Sequence, residues 1–197
     1  MKLNEVLREA LLILAVLFLL LFSQQSSAIS DRYDSSFRKW SAYYLPEVPW
    51  YWLKAQCWQE SRLKANAVSP VGATGVCQFM PLTWKDMQSK LNFEGDPFIP
   101  DLNIQAAASY MSQLRYVWDR RERSNSQVHS LAMASYNAGT GNILKAQKAS
   151  GNKRLWCEIQ PHLVEVTGRH SKETTHYVEV IWKYVKELDR FSGIPAY

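Results

Sequence analysis

The sequence predicts an all-α fold, and three observations carry that expectation. Apolar residues recur at spacings of three and four through most of the chain. Proline and glycine mostly fall between those stretches. No run of alternating apolar and polar residues is long enough to build a large sheet. A length of 197 residues suits one ordinary domain with a short appendage. About seven helices are expected in it, with no internal repeat and no second domain.

The elements follow in order. Phe37, Trp40 and Tyr44 mark the first helical face. Pro46 and Pro49 stop that helix and start the next, because proline lacks the amide that a helix interior needs. The second runs from Trp50 to about Leu63, with Trp50, Leu53, Cys57 and Glu60 on one stripe. Residues 66–78 hold Ser69-Pro70, Gly72 and Gly75 and read as a loop. A helix follows Pro81 to about Leu91, and a second loop spans 92–100. Asp101 is expected to cap the next helix, lined by Ile104, Ala107, Ala108, Met111, Leu114 and Trp118. Val128 to Ser135 form another, broken by Gly139 and Gly141. A short helix covers Asn142 to Ala149. The stretch from Trp156 to Val166 is interrupted by Pro161. Ser171 is expected to cap the last helix, striped by Tyr177, Val180, Ile181, Tyr184, Leu188 and Phe191.

Composition bounds the class. Hydrophobic residues make up 47% and charged ones 21%, the balance of a globular chain. This excludes a coiled coil, a collagen-like chain and a polytopic membrane protein. Eight tryptophans and ten tyrosines point to an aromatic core or groove. Ala10 to Phe22 is an unbroken apolar run, short of the ~20 residues that span a bilayer. With Lys2 and Arg8 before it and Ser26-x-Ala28 after it, residues 1–28 read as a secretory signal cleaved after Ala28. The alternative is a retained inner-membrane anchor through residues 6–22. Residues 1–28 carry Lys2, Arg8, Glu5 and Glu9, so the net charge of +5 belongs to the rest of the chain. That charge favours an anionic partner. Export argues against nucleic acid, and no zinc-finger or RNA-binding motif is present. Arg120, Arg121 and Arg123 read as a solvated helix end.

Glu60 is the most informative residue. It shares a stripe with Trp50, Leu53 and Cys57, and burial there disfavours the charged carboxylate. A carboxyl kept protonated by an apolar wall can serve as a general acid. Trp50, Trp52 and Trp58 are candidates for that wall. The competing reading is a helix end whose carboxylate reaches water. After Glu60 comes a glycine-bearing loop, in which Gln78 offers both donors and an acceptor suited to sugar hydroxyls and amides.

Three segments resemble one family. Gln59 to Trp84, with Glu60-Ser61, Ser69-Pro70-Val71-Gly72-Ala73-Thr74-Gly75 and Gln78-Phe79-Met80-Pro81, resembles the signature of the SLT-type lytic transglycosylases of the lysozyme-like superfamily. Ala134 to Gly139 is similar to their Ala-Tyr-Asn-Ala-Gly segment. Glu173 to Val178 is similar to their Glu-Thr-x-x-Tyr-Val segment. The three occur in the family's order. The resemblance implies a lysozyme-like single domain over residues 29–197 and a monomer acting on peptidoglycan glycan strands in the periplasm or cell envelope. It implies Glu60 as the catalytic acid and base, and Ser69 as a serine that polarises the site. It implies Gln78, Met80, Tyr136, Asn137 and Tyr177 around the sugar groove. Structural roles as a helix end and a core ring compete for Tyr136, Asn137 and Tyr177.

Neither metal nor cofactor is expected. His129, His162, His170 and His176 lack metal-ligand spacing, and the three cysteines lack a Cys-x-x-Cys pair. Cys57 and Cys77 depart from the family's pattern. They flank the loop, and an exported location permits a disulfide between them, although the sequence leaves their bonding open. A lysozyme-like hydrolase and a non-catalytic wall-binding protein are the rival readings. Phage lysis, phage entry, secretion and wall recycling are contexts the sequence does not separate.

Overall fold

The first helix among the described residues is α1 (Asp34–Tyr44), with Phe37 buried beneath it. The structure, a computed structural model, describes residues 29–119 and 123–192, without the side chains of 191 and 192. Residues 1–28, expected to be the export signal or anchor, lie outside that range, as do Arg120, Arg121 and the Phe191 side chain. The other helices are α2 (Trp50–Ser61), α3 (Pro81–Leu91), α4 (Pro100–Trp118), α5 (Asn125–Ala138), α6 (Thr140–Ala149), α7 (Trp156–Ile159), α8 (Leu163–Thr167) and α9 (Ser171–Ser192). Seven of them have ten or more residues, and no sheet is present among the described residues. The all-α expectation therefore holds.

The described helices fall in one compact unit. In it α9 packs on α2 and α5, and α4 packs on α1 and α5. The consecutive small residues Ala106, Ala107 and Ala108 of α4 are fully buried, which lets neighbouring helices approach closely. Every residue of α5 from Val128 to Ser135 is buried, so this helix is the central strut. Two of its serines are hydrogen-bonded: Ser135 Oγ accepts from Trp118 Nε1 at 2.9 Å, and Ser130 Oγ accepts from Trp182 Nε1 at 2.9 Å. No helix among the described residues is long and apolar enough to cross a membrane.

Several boundaries differ from the sequence expectation. α4 starts at Pro100, with Ile99 rather than Asp101 at its cap position. The Asp101 carboxylate instead accepts from Ser36 Oγ at 2.7 Å and Trp40 Nε1 at 2.9 Å, tying α1 to α4. α5 begins three residues earlier than expected, because Ser124 Oγ caps it by accepting from Gln127 N. Gly141 lies inside α6, and the break falls at Gly139, whose φ is +83°. Pro161 does interrupt the segment near the C-terminus, as a 3-10 turn between α7 and α8. Arg123 is no free surface charge. Its Nη1 donates to Trp118 O and its Nε to Arg154 O, both at 2.8 Å.

Candidate active site

Glu60 is the penultimate residue of α2. The two residues after Ser61, Arg62 and Leu63, have φ of +56° and +58°. Left-handed backbone costs an ordinary residue about 1–2 kcal/mol, and packing offsets it here. Leu63 is buried, and the Arg62 guanidinium lies 5.2 Å over Trp58 and 5.0 Å over Tyr184. This double turn sends the chain back along α2 as the loop 64–80.

The loop is held from four directions. Thr74 forms bridges to Val68 and Phe79 within it. Ser61 Oγ donates to Val76 O at 2.6 Å. A disulfide joins Cys57, one turn before Glu60, to Cys77. Asn103 of α4 accepts from Cys77 N at 2.8 Å and donates to Pro97 O at 2.8 Å. At Gly75 a Cβ would stand 2.2 Å from Pro97 O and 2.4 Å from Asn103 Nδ2, at a φ of +80°. Only glycine lets the loop lie this close to α4. The three sequence segments then close on one another. Tyr177 Oη of α9 donates to Glu60 Oε1 at 2.5 Å. Tyr136 Oη of α5 donates to Cys77 O at 2.7 Å. Thr174 Oγ1 of α9 donates to Asn137 Oδ1 at 2.8 Å.

Burial pushes the Glu60 carboxyl up from the usual 4.5 to about 7, against the pull of the Tyr177 hydrogen bond. Glu60 is half-buried as a residue. Burial and the Glu60 charge drive the Tyr177 and Tyr136 phenols well above their usual range. Both stay protonated donors around a carboxyl poised near neutrality. Tyr177 acts on Glu60 through its hydrogen bond, and Tyr136 feels the Glu60 charge. Trp52 packs on His129 and Trp182, Trp50 lies under Arg38, and Trp58 under Arg62.

The remaining expected residues take distinct places. Ser69 staples its own turn, its Oγ accepting from Ala73 N at 2.9 Å. Gln78 has φ of +55°, and its Nε2 donates to Ala67 O and Gly75 O, so its amide donors hold the loop. Met80 is 43% exposed at the start of α3. Asn137 is exposed and helps line a cavity of about 390 Å³ with Asn142, Thr167, His170 and Glu173. Sequence reasoning gave Ser61 and Asn103 no role. The signal at Asn103 was a polar side chain beside Ile104 on a buried stripe, the same kind that marked Glu60. Among the described residues no cluster of three His, Cys, Asp or Glu side chains is placed to hold a metal ion.

Comparison with known proteins adds the family context. The family model described as the transglycosylase SLT domain matches residues 37–158. A membrane-bound lytic murein transglycosylase F of Photobacterium profundum is 27% identical over 172 residues, covering 80% of this chain and 32% of the relative. The chain thus spans about a third of that relative's length. The crystal structure of the 70 kDa soluble lytic transglycosylase of Escherichia coli superposes with a TM-score of 0.69 at 23% identity, over 84% of this chain and 25% of that one. An inactive glutamate-to-glutamine mutant of the lytic transglycosylase Slt of Pseudomonas aeruginosa superposes with a TM-score of 0.63 at 25% identity, over 82% of this chain and 25% of that one.

Proposed function

The chain belongs to the transglycosylase SLT domain family, and from that premise we propose that it is a peptidoglycan lytic transglycosylase. It cleaves the bond between N-acetylmuramic acid and N-acetylglucosamine without water and leaves 1,6-anhydro ends. The observation that carries this reading is the Glu60 carboxyl, held near pKa 7 by burial and hydrogen-bonded to Tyr177. Near neutral pH such a group is present both as acid and as base.

The steps follow from that double character. Protonated Glu60 gives its proton to the bridging oxygen as the bond to the muramic acid C1 breaks. The substrate's own N-acetyl group stabilises the cation that develops. Glu60, now a carboxylate, takes the proton of the C6 hydroxyl, whose oxygen bonds to C1. One carboxyl suffices because the substrate supplies the nucleophile, whereas most glycosidases need a second carboxyl group. Tyr177 stabilises the carboxylate between the two steps by donating to Oε1.

Residues 29–197 form the catalytic domain in this reading, with Ser69, Gln78, Met80, Tyr136, Asn137 and Tyr177 shaping the site. The domain acts as a monomer on glycan strands in the cell envelope, exported or anchored by residues 1–28. The membrane-bound name of the Photobacterium relative is in keeping with such a location. Digestion of purified sacculi followed by mass analysis tests the reading. Anhydro muropeptides are expected from the native protein and none from Glu60→Gln. Products heavier by one water would make it a hydrolase, and native turnover by Glu60→Gln would remove Glu60 from the chemistry.

A further inference from the structure

The corner between α1 and α2 holds a cavity of about 320 Å³. It lies apart from Glu60, which stands ten residues beyond Trp50 along α2, or ~15 Å at the rise of an α-helix. Leu45, Val48 and Pro49 give it an apolar wall, and Arg38, Ser41 and Trp50 give it a polar one. All three polar side chains can donate hydrogen bonds. Ser41 is 2% exposed, and its Oγ has no hydrogen-bond partner among the described residues. The Trp50 Nε1 is buried and has none either. The exposed Arg38 guanidinium lies 4.0 Å over the Trp50 ring and forms no ion pair among the described residues. No carboxylate side chain lines the cavity among the described residues. Asp34, one turn before Arg38 on α1, is paired with Lys54. Burying a donor without an acceptor is unfavourable. Two such donors on one cavity wall, beside an unpaired cation, are explained by a shared acceptor from outside the protein.

We propose that this corner is a binding site for the free carboxylate end of a peptide with small apolar side chains. The guanidinium offers two parallel N–H groups to a carboxylate. Trp50 Nε1 and Ser41 Oγ donate to the same two oxygens, and the last side chain of the peptide rests against Leu45, Val48 and Pro49. Capture of a terminal carboxylate is a recurring mode of peptide recognition. A bare phosphate has the charge but brings no apolar surface to that wall, which would only desolvate it. The site does not enter the Glu60 chemistry and does not depend on it.

Titration of the full chain with N-acetyl-alanyl-alanine tests the proposal, followed by NMR at the Trp50 indole N–H. That resonance should move, with half-saturation on the order of 1 mM for so small a ligand. The carboxamide of the same peptide lacks the charge and should bind at least about tenfold more weakly. Inorganic phosphate should also bind more weakly than the peptide. Arg38→Met keeps the stem over Trp50, removes the guanidinium donors, and should weaken peptide binding by about tenfold. Ser41→Ala should weaken it by about threefold. The same change should not lower the thermal midpoint of the free protein, because the hydroxyl has no partner to lose. A Trp50 resonance that stays in place at about ten times the expected half-saturation overturns the proposal. So does equal binding of peptide and carboxamide, phosphate binding as tight as the peptide's, or native affinity in both variants. A lowered midpoint in Ser41→Ala would also overturn it, since the hydroxyl would then already be bonded within the fold.

Discussion

The acid and base role proposed for Glu60 explains an energetic liability of this residue. A carboxyl whose folded pKa stands above its unfolded value loses stability as pH rises. The loss begins near the usual 4.5 and is complete above about 7. Burying the charge there costs on the order of 3 kcal/mol if the whole shift is counted. Glu60→Gln removes the charge and keeps the shape. It should therefore raise the thermal midpoint at pH 8 and leave it nearly unchanged at pH 4, even as it removes activity. A midpoint at pH 8 equal to the native one would mean that the carboxyl is solvated in the fold. The left-handed backbone at Arg62, Leu63 and Gln78 has the same character. Strain sits beside the proposed acid, and packing elsewhere holds it.

The elements hold Glu60 through the loop 64–80. The Cys57–Cys77 bond closes a stretch with a sequence separation of 20, which in the chain-entropy account stabilises by about 3 kcal/mol. Reduction, or Cys77→Ser, should lower the unfolding free energy by about 2–4 kcal/mol. It should depress activity more than a distant change of equal cost, because Cys77 also accepts from Tyr136. Denaturant unfolding with and without reductant reads the first effect, and sacculus digestion the second. Gly75→Ala attacks the same clamp from the α4 side. Its methyl would meet Pro97 O at 2.2 Å, and neither backbone can yield cheaply. A loss of several kcal/mol is expected by denaturant melting, and a loss under about 0.5 kcal/mol would show that the loop stands off α4.

Across the whole molecule, two buried groups set opposing pH slopes. His129, inside the central helix α5, is driven well below its usual 6.5 by burial and by the nearby Arg115 charge. A base depressed in the fold contributes stability above its unfolded pKa and loses it as pH falls below 6.5. Glu60 works the other way from 4.5 upward. As far as these two groups go, their slopes of about 1.4 kcal/mol per pH unit cancel between roughly 4.5 and 6.5. Removing one should unmask the other. Stability of Glu60→Gln should rise with pH across this window, and stability of His129→Leu should fall, both read by denaturant melts at several pH values. Parallel curves for all three proteins would contradict the assignment. Periodicity made the helices legible because a buried stripe at spacings of three and four has one regular solution. The Glu60 charge on such a stripe made the site legible for the same reason. Other features depend on contacts between segments far apart in sequence, where no local pattern exists. Tyr177 reaches Glu60 across 117 positions, Asn103 reaches Cys77 across 26, and Asp101 turns from an expected cap into an acceptor for Ser36 and Trp40. The sequence by itself determined the all-α class, the helix order and the glutamate proposed as the acid. Only the tertiary structure decided that the Tyr177 phenol bonds that glutamate and that the two cysteines bond. Burial and hydrogen-bond partners are set by which helices pack together, and one-dimensional spacing does not carry that information.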